Sequence, residues 1–375
     1  MADYAILLDW IKQELQDIVN QYPEHHPLIV RLQSELADAK KSHDYLREQI
    51  EMGNGKVLSV IRDIKYFIVL ATSYYLPALQ KERETDRFVR QLLLSATKRY
   101  GFDWIEDIVV HLNGQHATFA NLLIETPLIL APPQHAISLL DMPGLYHELG
   151  HNVLDRLPKI AKVLRAAVSE HSALLYTKAD SLTPEQKDKW NSTANEVLEY
   201  WEIGRLGELF CDIFATFVCG PAHYISCIDM GLRSDCDPFL VNDGDVHPPF
   251  AARVYVCYKS LNIAYANEPV VALVRDMWEG YEGTCKRDES FELVCSEALL
   301  DCLVDASICC IGELLPSVQY YSTTLPCDEE LECITEEMSL EEMLNRGTKI
   351  LFMCPERYAN WEEKIFERLK AIGDL

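Results

Sequence analysis

The chain has 375 residues, of which 49% are hydrophobic and 25% are charged. This composition is ordinary for a folded globular protein, and the length suffices for one large core or for two to three domains. Because the formal net charge is −25, the surface repels phosphate backbones, and we expect no nucleic-acid partner.

The cysteines and the first residues predict a cytoplasmic protein. The 13 cysteines are odd in number, and all of them lie at or after Cys211. We expect no secretory signal, because Met1–Tyr4 lacks a basic segment and Asp9 interrupts the apolar run that follows. No apolar run reaches the roughly 18 residues that a membrane helix needs, so we also expect no membrane span. Reduced thiols in the cytoplasm follow from these features.

The first hundred residues are predicted to be helical. Apolar residues recur at intervals of three and four over 4–22 and 29–50, and two further helical segments over 57–100 are interrupted near Pro77. The first two segments form a predicted helical hairpin. Packing against the rest of the chain is the favoured use of its apolar faces, and a surface for a protein partner is the alternative.

A change of period after residue 100 predicts a small sheet. Its three strands are predicted over 107–112, 117–123 and 126–130. Asn113 and Gly114 are a hairpin signal between the first two strands, and Pro127 indicates that the third strand begins there or lies at an edge. An exposed edge can hold an extended peptide through main-chain hydrogen bonds. The predicted substrate-binding residues are therefore Leu128, Ile129 and Leu130.

The segment His147-Glu148-Leu149-Gly150-His151 matches the zinc-peptidase pattern His-Glu-x-x-His. Residues four apart on a helix share a face, so His147 and His151 can direct two imidazoles at one zinc ion. Glu148 then lies close enough to act as general base toward a water at that ion. The alternative interpretation is a polar helix face that carries two histidines without a metal.

The third zinc ligand is predicted to be Glu208. Its neighbours are apolar, so its helix should be buried, where a carboxylate is costly unless it is paired or bound to metal. Asp212 lies one turn later on the same face. It is expected to accept a hydrogen bond from the far nitrogen of a ligand histidine, which fixes the imidazole tautomer. Salt bridges to Arg205 or another cation are the alternative for both carboxylates.

These motifs resemble a known group of enzymes. Glu208, Asp212 and Ala215 form Glu-x-x-x-Asp-x-x-Ala after His-Glu-x-x-His, which is similar to the gluzincin arrangement. The long gap between His151 and Glu208 is more similar to the family of the CAAX prenyl endopeptidase and the heat-shock protease HtpX. The resemblance covers roughly residues 126–256, and the chain departs from that family because it lacks the family's membrane helices.

A third motif extends the resemblance. The segment His247–Val254 resembles the family's His-Pro-x-x-x-x-Arg. The resemblance implies that His247 and Arg253 face the catalytic centre and contact the substrate or its oxyanion. His223 and Tyr224 are weaker candidates for the same role. The alternative is that His247 caps a helix and that Arg253 is exposed.

The expected architecture is α+β and predominantly helical. A zincin-like core over 101–260, with a small edge-exposed sheet, lies between a helical N-terminal region, 1–100, and a helical C-terminal region, 261–375. Within the last region we expect an acidic surface segment over 326–345 and a closing helix over 352–369.

The predicted function is zinc-dependent endopeptidase activity on a peptide or protein substrate. Zn²⁺ would be held by His147, His151 and Glu208, with Glu148 as the base toward a metal-activated water. Two alternatives stay open. One is a catalytically silent, zinc-stabilised scaffold that binds a partner. The other is a latent protease in a defence or stress module.

Overall fold

The protein is described by a computed structural model. The described residues are 2–21, 26–51, 58–80, 83–112, 118–120, 126–133, 137–179, 183–234, 237–242, 244–261, 268–287, 289–318, 333–335 and 338–373. The chain divides into two compact units. The N-terminal unit is Met1–Lys98 with Phe102–Pro133, and the C-terminal unit is Arg99–Gly101 with Gln134–Leu375. The division therefore differs from the three regions expected, since the strands belong with the N-terminal helices.

The N-terminal unit contains the predicted helices. They are α1 (Ala2–Gln21), α2 (His26–Glu51), α3 (Leu58–Leu70), α4 (Leu76–Gln80) and α5 (Glu84–Arg99). Most of the apolar stripe that predicted α1 is buried, with Ile11, Leu15 and Ile18 at most 2% exposed. Leu7, which belonged to the predicted stripe, is 37% exposed, and Leu8 is buried in its place. Burial of such a stripe is what stabilises an amphipathic helix in a folded protein.

The interruption predicted near Pro77 is a π turn, Ala71–Tyr75, between α3 and α4. The backbone N–H of Leu76 donates to the carbonyl of Ala71, five residues back. Proline has no N–H and its ring collides with the carbonyl four residues before it. The wider turn accommodates Pro77 while the chain stays helical.

The sheet has three strands: β1 (Val109–Leu112), β2 (Thr118–Ala120) and β3 (Leu128–Ala131). Their order is β1-β3-β2, with β1 parallel and β2 antiparallel to β3. The predicted hairpin between the first two strands is therefore wrong, because both pair with β3 and not with each other. Asn113 and Gly114 lie outside the described residues.

Of the two alternatives for the third strand, the edge position is wrong, whereas the strand does begin directly after Pro127, at Leu128. β3 is central, and both of its sides are hydrogen-bonded to neighbours. Leu128, Ile129 and Leu130 are 0%, 0% and 1% exposed. A continuous apolar run is typical of a strand buried on both faces, and its backbone groups cannot take up a further strand. The substrate-binding role expected for these three residues is therefore not supported.

The C-terminal unit is built from helices. They are α6 (Gly144–Arg156), α7 (Pro158–Ala179), α8 (Pro184–Tyr200), α9 (Ile203–Cys219), α10 (Pro221–Arg233), α11 (Phe250–Leu261), α12 (Pro269–Glu282), α13 (Glu289–Val294), α14 (Glu297–Leu314), α15 (Leu340–Met353) and α16 (Pro355–Gly373). α9 lies at their centre and packs against α6, α7, α10, α11, α14 and α15. Every residue from 209 to 219 is buried. The mostly helical, α+β character expected from the sequence is confirmed.

The acidic segment expected at the surface is only partly described. Residues 326–332 and 336–337 lie outside the described residues, whereas 340–345 form the start of α15, and Glu341 and Asn345 there are buried. The surface prediction is wrong for that part. The expected closing helix begins later, at Pro355, after α15 ends at Met353.

Two further expectations concern the whole chain. Among the described residues, no helix is both long and apolar enough to cross a membrane. The cysteines in the same residues are free thiols.

Candidate metal centre

The His-Glu-x-x-His segment lies on a helix, as predicted. His147, Glu148 and His151 belong to α6, where the ring centroids of the two histidines are 5.1 Å apart. His147 and Glu148 are buried, whereas the His151 side chain is 23% exposed and gives the centre an open side. A Cβ at Gly150 would lie 3.0 Å from the Cys211 Cα, so the absence of a side chain there allows α6 to pack directly on α9.

The carboxylate of Glu208, on α9, faces both histidines. Its Oε2 lies 3.1 Å from Nε2 of His147, and its Oε1 lies 3.5 Å from Nε2 of His151. Neighbouring ligand atoms around a tetrahedral zinc ion are about 3.3–3.5 Å apart, given bonds of about 2.0–2.2 Å. Glu208 thus lies within 3.1 and 3.5 Å of the two imidazoles, with a different oxygen facing each ring.

The ionisation of Glu208 and of His151 also fits a metal site. Burial raises the pKa of Glu208, but the hydrogen bond and charge of His147, with the charges of the other histidines, lower it to about 2. Burial and the neighbouring charge of His147 lower the pKa of His151 to about 4. Glu208 is therefore an anion at neutral pH and His151 is neutral, which are the forms that bind metal.

Asp212 lies behind His147 and accepts the predicted hydrogen bond. His147 Nδ1 is 2.9 Å from Asp212 Oδ1, and Asp212 is fully buried. Burial lowers the pKa of His147, yet the charge and hydrogen bond of Asp212, together with the hydrogen bond of Glu208, raise it to about 10. The carboxylate fixes Nδ1 as a donor, so Nε2 is the atom left for a metal.

Arg253 also binds Asp212, which differs from the expected position at the substrate. Its Nε and Nη2 donate to Asp212 over 2.6 and 2.9 Å, and the residue is only 6% exposed. The alternative of an exposed Arg253 is therefore wrong. Both nitrogens of this bidentate pair face Asp212, so the contacts favour a positioning role behind His147 over direct contact with an oxyanion.

His247 lies on the open side of the centre. Its Nε2 is 3.5 Å from Glu208 Oε2, and its side chain is 50% exposed. Both its backbone N–H and its Nδ1 lie 2.9 Å from Asp245 Oδ1, which orients the ring. The residue is therefore close to the predicted ligands and reachable from solvent, as its motif predicts, whereas α11 begins only at Phe250.

Glu148 differs from the other carboxylates of the centre because one of its oxygens has no hydrogen-bond partner among the described residues. Oε2 is buried and has no hydrogen bond within the described residues. Burial raises the pKa of Glu148 to about 7, although the charge of His147 opposes this shift. A carboxyl group that titrates near neutral pH can both accept and return a proton, as general acid–base catalysis requires.

Two other groups of side chains lie close enough together to hold a metal: His147 with His151 and Cys211, and His147 with Asp212 and His223. Glu208 faces both histidines, but with a different oxygen toward each ring. We favour Glu208 on chemical grounds. Burial raises the pKa of the Cys211 thiol well above its usual value, and the Asp212 charge is already paired with Arg253.

Sequence reasoning gave Cys211 no role and His223 a minor one. Cys211 follows Glu208 by three positions on one helix, a spacing that could have placed it at the centre. His223 is buried, its ring lies parallel to that of His147 with centroids 6.4 Å apart, and its Nε2 is 3.6 Å from Asp212 Oδ1. Tyr224 is 1% exposed, so it is not a surface on which a substrate can bind.

Comparison with known proteins adds no family to this description. No family model, no curated protein and no solved structure matches the chain. The resemblance to gluzincins therefore rests on the three motifs and on the geometry that surrounds them.

Proposed function

We propose that the chain is a zinc-dependent endopeptidase of gluzincin type, with a zincin-like catalytic core. The observation that carries the proposal is the convergence of three residues from two helices. His147 and His151 of α6 meet Glu208 of α9 at 3.1 and 3.5 Å. The separation of the two histidines from Glu208 in the sequence makes this meeting improbable for a motif that arose by chance.

The residues around the three ligands have distinct tasks in the proposed reaction. Zinc bound there would polarise a water molecule and the carbonyl of the scissile peptide bond. Glu148 accepts the proton of the attacking water and passes it to the leaving amine. Asp212 holds His147 in one tautomer, and Arg253 holds Asp212. His247, exposed beside Glu208, is the remaining candidate to donate a hydrogen bond to the developing oxyanion.

Glu148 distinguishes this proposal from a zinc-stabilised scaffold. A scaffold needs the three ligands but no base. A buried carboxylate oxygen that lacks a partner costs stability. The Glu148 oxygen has none in the part of the chain that the structure describes, and this favours a catalytic use. The open side at His151 and His247 also suits a catalytic site, which leaves one coordination position free.

The test is Glu148→Gln, compared with the parent protein and with Glu170→Gln on the exposed face of α7. Zinc content is measured by elemental analysis, and hydrolysis is measured on an unfolded casein-type substrate. We expect stoichiometric zinc in all three proteins and a loss of activity of at least about a hundredfold in Glu148→Gln alone, because the base is removed while the ligands remain.

Three outcomes contradict parts of the proposal. Full activity of Glu148→Gln would overturn the assigned base. A parent protein that holds zinc but cleaves no substrate would support the scaffold. A parent protein that holds no metal would overturn the site itself.

A further inference from the structure

A second buried carboxylate, Glu341, lies next to the helix that carries the histidines. It is in the first turn of α15 and is 3% exposed. Taking a charge out of water is costly unless hydrogen bonds and an opposite charge replace the solvent. Glu341 therefore needs partners, and those partners show which parts of the fold it holds.

Three side chains from two distant segments satisfy this carboxylate. Oε1 accepts hydrogen bonds from the hydroxyls of Tyr100, at 2.5 Å, and Tyr146, at 2.7 Å. Oε2 pairs with the guanidinium of Arg99. The two tyrosine rings also meet edge to face, with centroids 6.5 Å apart. Burial, and next the charge of Glu341, raise the pKa of both tyrosines, so both hydroxyls stay protonated and donate.

Tyr146 makes this network relevant to the metal centre. It immediately precedes His147 on α6, and it is buried. α6 is thus held by Asp212 through His147 and by Glu341 through Tyr146. A rotation of the helix by about ten degrees would move a side-chain tip, some 5–6 Å from the axis, by about 1 Å. A displacement of that size is enough to change a rate by about a hundredfold.

Asn345, one turn after Glu341, holds the other ligand helix. Its Nδ2 donates to the carbonyl of Cys219, at 2.5 Å, and its Oδ1 accepts from the backbone N–H of Ala222, at 2.8 Å. These two groups flank Gly220, which has a φ of 67° and ends α9. Since α9 carries Glu208 and Asp212, both helices of the centre are bound to α15.

We propose that α15 is the positioning element of the metal centre, with Glu341 as the positioning residue that sets α6 against α9. Glu341 fixes α6 through Tyr146, and Asn345 fixes the end of α9. This inference rests on the proposed function. It adds a residue that lies outside the three motifs and that touches neither metal nor substrate.

Tyr146→Phe tests the inference with the least disturbance, because the ring stays and only the hydroxyl is lost. Tyr358→Phe is the matched control, since its hydroxyl donates to Glu362 over 2.8 Å within α16. Each variant is loaded with zinc, and the rate of zinc loss to a chelator is measured. The visible spectrum of the Co²⁺-substituted protein, the melting temperature, kcat and KM are recorded for the same proteins.

We expect Tyr146→Phe to lose zinc about tenfold faster than the parent, as with other changes behind a metal ligand. Its Co²⁺ spectrum should shift and its kcat should fall, with KM little changed. Tyr358→Phe should match the parent in its rate of zinc loss, its Co²⁺ spectrum and its kcat. Glu341→Gln should act in the same direction as Tyr146→Phe and more strongly. If Glu341→Gln does not fold, the test of the inference depends on Tyr146→Phe alone.

The inference is overturned if Tyr146→Phe keeps the parent's rate of zinc loss, Co²⁺ spectrum and kcat, even if its melting temperature falls. That result would leave the proposed function intact, because the parent would still bind zinc and cleave the substrate. A parent that binds no zinc would overturn both.

Discussion

Among the residues that the structure describes, each of the two units buries one aspartate completely and pairs it with an arginine, but the two aspartates have different surroundings. Asp86 of the N-terminal unit accepts hydrogen bonds from Arg83, at 2.9 and 3.1 Å, and from the backbone N–H of Leu112. Asp212 of the C-terminal unit accepts from Arg253 and from His147. The first aspartate ties the start of α5 to β1, whereas the second orients an imidazole.

The difference shows that a buried aspartate paired with an arginine is not by itself a sign of function. Such pairs hold structure in many proteins. What distinguishes Asp212 is the group beyond it, since the far nitrogen of His147 faces Glu208 at 3.1 Å. A buried carboxylate indicates a functional site when the imidazole that it binds has its other ring nitrogen directed at a possible ligand.

Asp212→Asn is the change with the largest expected effect on the metal centre. The amide keeps the shape but removes the charge that orients His147 and neutralises the buried Arg253. We expect zinc affinity to fall about 10- to 100-fold, and the free energy of unfolding to fall by about 3–5 kcal/mol. Competitive chelator titration and denaturant unfolding measure the two. Unchanged zinc affinity would remove the distinction between the two aspartates.

The pH dependence of zinc binding tests the effect of Asp212 on His147, which Asp86 does not share. In the metal-free protein the pKa of His147 is raised to about 10, so its Nε2 carries a proton that zinc must displace. Affinity should therefore rise about tenfold per pH unit from neutral pH and level off as the pH passes about 10. At about pH 8 Glu148 is mostly ionised, because its pKa is about 7.

Calorimetry at that pH, in buffers of different ionisation enthalpy, should therefore detect the release of about one proton per zinc ion. In Asp212→Asn the released fraction should fall, because the charge that raises the pKa of His147 is gone. Equal proton release in the two proteins would contradict this account of His147.

Asp86→Asn should leave the zinc affinity of the metal centre unchanged. Its own unit should lose about 1–3 kcal/mol of stability, since hydrogen bonds to a buried charged acceptor are weakened. Limited proteolysis or hydrogen exchange within residues 83–112 would report that loss, while chelator titration reports zinc affinity. A fall in zinc affinity comparable to that of Asp212→Asn would break the comparison.

Much of the centre could be predicted from the sequence because its residues lie in short motifs. The spacing of His147 and His151 on a helix is a local property, and the apolar flanks of Glu208 pointed to a buried carboxylate. The helices were predictable for the same reason, because the three- and four-residue spacing of their apolar positions is visible within one short segment.

The parts that were missed depend on contacts between distant residues. Leu128–Leu130 could not be assigned as a central strand from Pro127 alone, although their unbroken apolar character favoured it. The acidic composition before α15 suggested a surface, yet Glu341 is buried because Arg99, Tyr100 and Tyr146 surround it. The role of Arg253 depends on its distance from Asp212, which no sequence pattern contains.

The close contact between α6 and α9 at Gly150 has a practical consequence. It encloses the Cys211 thiol, which is 0% exposed, whereas Cys302 and Cys309 lie open to solvent. An alkylating reagent reaches Cys211 only when these two helices part. The rate at which Cys211 is alkylated, followed by mass spectrometry, therefore measures how often α6 and α9 separate in the absence of substrate. The exposed cysteines serve as an internal control for the reactivity of the reagent.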